Sequence, residues 1–169
     1  MKNAFIHKVV MVAIAGVSLT YSGGAEANPQ GDAKKTLCSG AEKVIFSCST
    51  GKKTVSVCQT DNYGSVQYRF GKPGATPDIA LPEDPTTHQG VMKGKVMLIG
   101  GGGSYITFTK GDIQYTVHDY TTKQGDDTGV SVHRPGKTAI SIQCTELPDG
   151  DLVDGIPASV PLDPESMLQ

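Results

Sequence analysis

The chain has 169 residues, 15 basic and 17 acidic, and a formal net charge of −2. That balance leaves no electrostatic footprint for nucleic acid or an anionic membrane. Only 6% of the residues are aromatic and none is tryptophan, while 21 are glycine and 10 proline, a composition of short elements and frequent turns.

The first 27 residues read as a secretory leader. Lys2 and Lys8 form a basic start, Val9 to Thr20 is apolar and uncharged, and Ala25-Glu26-Ala27 is an A-x-A cleavage signal that puts the mature start at Asn28. The apolar run is shorter than the ~20 residues needed to span a bilayer. The first cysteine is Cys38, so none stands at the cleavage point to carry a lipid. The expectation is a freely soluble exported protein, periplasmic in a Gram-negative cell. Without Lys2, Lys8 and Glu26 the net charge becomes about −3, which mildly favours a basic partner.

Residues 28–145 read as one domain and 146–169 as an acidic, proline-containing tail. Short alternating runs replace helical periodicity along the domain. Strands are expected at Val44 to Cys48, Thr54 to Gln59, Ser65 to Phe70, Val91 to Ile99, Tyr105 to Thr109, Ile113 to Asp119, Gly129 to His133 and Thr138 to Cys144, with a short one at Asp78 to Leu81. By the period-two rule Val66, Tyr68 and Phe70 share a face, as do Ile113, Tyr115 and Val117, and Ile140 and Ile142. About eight short strands joined by turns predict an all-β, antiparallel sandwich or barrel-like domain. Phe70 to Gly90 and Thr121 to Gly129 read as loops. The tail has six acids and no base, and is expected to be extended or mobile.

Four cysteines in an exported chain predict a disulfide-braced domain. Three connectivities are open, and the preferred one joins Cys48 to Cys58, on consecutive strands, and Cys38 to Cys144, tying the first and last segments. No C-x-x-C or H-x3-H spacing supports zinc. The stretch Asp149 to Gly155 departs from a calcium loop at Val153. No metal or cofactor is expected.

Catalytic chemistry is hard to assemble. Ser131 and His133 share a strand face and Asp119 follows His118, but no G-x-S-x-G elbow occurs. No catalytic residue is assigned, and the chain is read as a non-enzyme. The run Gly100 to Gly103, before Ser104 and Tyr105, is not a phosphate loop, because it opens a strand instead of a helix. It reads either as a bend or bulge or as a protruding loop whose bare backbone enters a narrow cleft. In the second reading Ser104 supplies a hydroxyl and Tyr105 an aromatic anchor. Thr109 and Lys110 form the next turn, flanking the same surface or lying ~17 Å away along the strand.

The stretches "FSCSTGKKTVSVC", "VQYRFG" and the glycine run with "YITFTKG" resemble the bacterial periplasmic inhibitors of invertebrate-type lysozyme, with the inhibitors of goose-type lysozyme as a second candidate. The resemblance runs from about Cys38 to Cys144. The motif Y-x-x-x-T-K-G matches at Tyr105, Thr109, Lys110 and Gly111. The motif S-G-x-x-Y matches at Tyr105, but Gly101 stands where its serine would be and Ser104 adjoins the tyrosine. The resemblance implies an all-β inhibitor, a homodimer, whose loop plugs the lysozyme cleft; the alternative to an inhibitor is an exported binding module for another protein or a glycan. Gly101, Gly102, Gly103, Ser104, Tyr105, Thr109, Lys110 and Gly111 would then form the partner-binding surface, with hydrogen bonds to the catalytic carboxylates.

Overall fold

In the computed structural model the described residues are 36–60 and 64–167. The expected leader and its cleavage site lie outside them. Ten strands form two antiparallel five-stranded sheets that do not close into a barrel. The first sheet contains β1 (Lys43–Ser49), β2 (Thr54–Gln59), β3 (Val66–Gly71), β4 (Ile79–Leu81) and β10 (Asp149–Gly150), in the order β10-β1-β2-β3-β4. The second is a meander of β5 (Val91–Leu98), β6 (Gly101–Lys110), β7 (Ile113–Thr122), β8 (Gly125–His133) and β9 (Ile140–Gln143). Among the described residues no helix is long and apolar enough to cross a membrane.

Period-two alternation builds the core. In the first sheet Phe46, Val57, Tyr68 and Leu81 stand in one cross-strand row, and Cys48, Val55, Phe70 and Ile79 in another. The second sheet answers with Val91, Phe108, Tyr115 and Val132, and beside them Ile106, Val117 and Val130. These rows form one cluster. Tyr68 crosses the interface, its ring 5.6 Å from both Phe108 and Tyr115. Burial pushes its phenol pKa up strongly, with Tyr115 adding to the shift.

The disulfides are Cys38–Cys58 and Cys48–Cys144, not the expected Cys48–Cys58 and Cys38–Cys144. The reason is the register of the β1–β2 hairpin. Cys48 meets Val55, and Cys58 stands three residues beyond Val55 on β2, an odd step that turns it to the other face. Cys48 therefore belongs to the inner face and Cys58 to the outer one, on different rows. Two side chains on opposite faces of a sheet cannot bond. Cys58 instead holds Cys38 against the outer face of the first sheet, and Cys48 reaches across the core edge to Cys144.

Two further expectations change. Thr121 to Gly129 is not a loop: β7 and β8 stay paired as far as Thr122 and Gly125, leaving a two-residue turn. The segment after Cys144 is built into the fold over its described length. Asp149–Gly150 pairs with β1, and Leu152 and Val160 are fully buried. Edge strand β5 gains backbone partners there, as the Lys93 amide donates to the Pro161 carbonyl at 2.9 Å and the Asp163 amide to the Lys93 carbonyl at 2.8 Å. Leu152 and Val160 supply the apolar burial that the acidic composition concealed.

Candidate functional site

The glycine run is not a loop. Gly101, Gly102 and Gly103 lie inside β6, paired with Leu98, Met97 and Val96 on one side, and Gly102 and Gly103 also with Thr121 and Tyr120 on the other. Only Ile99 and Gly100 form the turn, and Gly100 has φ +80°, a conformation that favours glycine. The glycines permit close approach. A Cβ on Gly103 would sit 2.0 Å from the Asp119 carbonyl oxygen and 2.9 Å from the Tyr120 ring.

Ser104 and Tyr105 point to opposite faces of the sheet. Ser104 shares the inner face with Ile106 and is only 2% exposed, and its hydroxyl has no partner among the described residues. Tyr105 lies on the outer face opposite Gly94, where a Cβ would fall 2.3 Å from the ring. Its phenol donates a hydrogen bond to Asp163 Oδ2 at 2.8 Å. Burial first, and then the Asp163 carboxylate, push the Tyr105 pKa up to about 12.

Thr109, Lys110 and Gly111 close the other end of β6. Five residue steps from Tyr105 to Lys110 span ~17 Å, so the structure realises the separated alternative. The Thr109 amide donates to Gly90 at 2.8 Å, and Gly111 turns the chain at φ +61°. Lys110 donates to Glu83 at 2.6 Å in an exposed ion pair, which lowers the Glu83 pKa and raises that of Lys110. The eight motif residues thus form a strand and its far turn, with no common surface.

Comparisons with family models, curated proteins and solved structures give no match for this chain.

The residues that do project were assigned no role in the sequence reading. The end of β5 and the turn after it carry Met97, Leu98 and Ile99, with Met97 81% and Ile99 90% exposed. Three consecutive large apolar residues at a hairpin tip are unusual for a surface. Their signal was present in the sequence: "VMLIG" continues apolar past the alternation of "VMKGK". Behind the tip, His118 is 4% exposed on the outer face, with its ring stacked on Tyr120 at 5.0 Å and its Nε2 3.2 Å from Asp127. Burial and the Asp127 charge raise the Tyr120 pKa to about 12. Ser131 faces the same side but is paired with Thr116 and Ser141, away from this group. Among the described residues no cluster of three metal-ligating side chains occurs.

Proposed function

We propose that this chain is an exported protein inhibitor of lysozyme, invertebrate-type in the first instance, and that the β5–β6 hairpin tip is the part that enters the enzyme's cleft. Lysozyme comes from the motif resemblance; the surface comes from the geometry. The observation that carries the reading is the exposed apolar tip at Met97, Leu98 and Ile99. A tip of this kind buries apolar area in a groove, and a paired strand behind it limits the ordering cost of binding. Two disulfides suit the oxidising periplasm.

Ser104 and Tyr105 have different parts here from those the resemblance implies. Ser104 supports the hairpin from the inner face. Tyr105 already donates to a carboxylate, Asp163, and a partner carboxylate has to displace that bond.

The test is clearing of a cell-wall suspension by invertebrate-, chicken- and goose-type lysozymes, each mixed with the purified protein. Block of the invertebrate-type enzyme near equal molar ratio is expected. The doubly substituted Met97→Ser, Ile99→Ser protein is expected to fold normally and lose at least about tenfold in inhibition, as two apolar anchors are worth more than 1.4 kcal/mol together. Block of the goose-type enzyme alone moves the specificity. Three unimpeded enzymes refute the lysozyme reading, and full inhibition by the double variant refutes the tip.

A further inference from the structure

A cleft of about 730 Å³ opens between the two sheets at the end of the core. That is the size of a small-molecule site. Period two explains its walls. Val91, Lys93 and Lys95 alternate along β5 and pair with Phe108, Ile106 and Ser104, so both lysines lie on the inner face. On the opposing sheet Lys43 pairs with Gln59, on the inner row next to Val66. All five polar residues, Lys43, Gln59, Lys93, Lys95 and Ser104, line the cleft. The third wall is the returning chain, with Val153, Ile156, Pro157 and Leu162.

The charges are unbalanced. Three lysines face one acidic residue, Asp154. None of Lys43, Lys93 and Lys95 makes an ion pair among the described residues, and Lys93 Nζ is held by the Pro157 carbonyl at 2.6 Å. Burial and the neighbouring charge of Lys95 both lower the Lys93 pKa, so the ammonium groups disfavour each other. The buried hydroxyl of Ser104, in the same wall, has no partner among the described residues. Beside these groups Val153 and Leu162 are exposed apolar side chains. Charge seeks an anion, and the rim seeks hydrocarbon.

We propose that this cleft binds a small organic anion, with a carboxylate or sulfonate head between Lys93, Lys95 and Ser104 and an apolar body along Leu162, Pro157 and Val153. The head receives charge-assisted hydrogen bonds from the ammonium groups and a hydroxyl bond from Ser104. The body covers apolar surface that water now touches. The inference is independent of lysozyme inhibition: the cleft belongs to the inner faces, and the hairpin tip lies beyond it.

The experiment is a titration of the protein, with both disulfides intact, with sodium octanoate to about 10 mM, followed by amide NMR shifts, with octanol as the uncharged control. Saturable shifts are expected at Lys95, Ser104 and Ala158. Octanol is expected to bind at least about tenfold more weakly, as is octanoate to Lys95→Gln, the loss of one charge-assisted bond. Lys95→Gln leaves the Lys93–Pro157 bond in place, and its thermal midpoint checks the fold. The proposal is overturned by shifts that do not saturate, by equal binding of octanol, or by unchanged octanoate binding to a folded Lys95→Gln protein.

Discussion

The two sheets cover their outer faces by opposite means. The first sheet is roofed by another stretch of backbone, residues 36–42. That roof brings polar groups inward, and each must be bonded. The Leu37 amide donates to Ser56 Oγ at 3.0 Å, Ser56 bonds Ser47 at 2.8 Å, and Arg69 donates to the Leu37 carbonyl and to both Glu42 oxygens. A disulfide, Cys38–Cys58, ties the roof down. The second sheet uses its own rings. Tyr105 stands across from Gly94 and Tyr120 across from Gly103, each ring packed closely over the glycine of the next strand. A backbone roof needs satisfied polar bonds and a tether, whereas a ring roof needs neighbours without a side chain.

The largest expected effect is on the covalent ties. Converting Cys48 and Cys144 to alanine opens a link spanning 96 residues and should cost roughly 4–5 kcal/mol, against roughly 3 for Cys38 and Cys58, which span 20. Urea unfolding of the two variants measures both, and a reversed order contradicts this account. Gly103→Ala should cost about 3 kcal/mol, because the obstacle is a backbone carbonyl. Gly94→Ala should cost about 2, because the Tyr105 ring can swing aside only by giving up its bond to Asp163. Equal losses would mean that the Tyr105 ring is as unyielding an obstacle as the Asp119 carbonyl.

Arg69→Ala breaks the roof's half-buried ion pair, 2.7 Å on both forks, for about 2–3 kcal/mol. Burial alone would raise the Glu42 pKa, but bonds from Arg69 and the Ser39 amide, with the Arg69 charge, bring it below the ordinary value of 4.5. The pair's contribution is therefore present above that value and lost as pH falls through the lowered one. Denaturation midpoints of wild type and Arg69→Ala should converge in acid. The smallest effect is Tyr105→Phe, about 1.5 kcal/mol for the bond to Asp163. The folded phenol holds its proton to about 12, above its ordinary 10. Stability from this group is complete below 10 and declines between 10 and 12. Tyr120, with a folded pKa also near 12, declines over the same range, so Tyr105→Phe should soften the alkaline loss without abolishing it.

Much of the framework was legible in the chain. The alternation of Val66, Tyr68 and Phe70, and of Ile113, Tyr115 and Val117, placed these residues on faces that the structure keeps. The same rule applied to "VMKGKV" puts Lys93 and Lys95 on the face of Val91, so the inward lysines were readable too. The candidate site was less legible. Four glycines in a row look like a loop because glycine signals turns, yet three of them serve strand packing, Gly101 against Thr121, Gly102 against Val96 and Gly103 against Asp119 and Tyr120.

The sequence by itself determined the all-β class, most strand positions, the alternation of faces and the presence of paired cysteines. These follow from local periodicity and turn chemistry, which act over a few residues. Only the tertiary structure decided which cysteines pair, that the acidic segment contributes Leu152 and Val160 to the core, and that Tyr105 meets Asp163. The register that sets Cys48 across from Val55 puts Cys58 on the other face, and the partner of Tyr105 lies 58 residues away in the chain. Contacts of that range depend on the register of whole sheets, which no window of neighbouring residues contains.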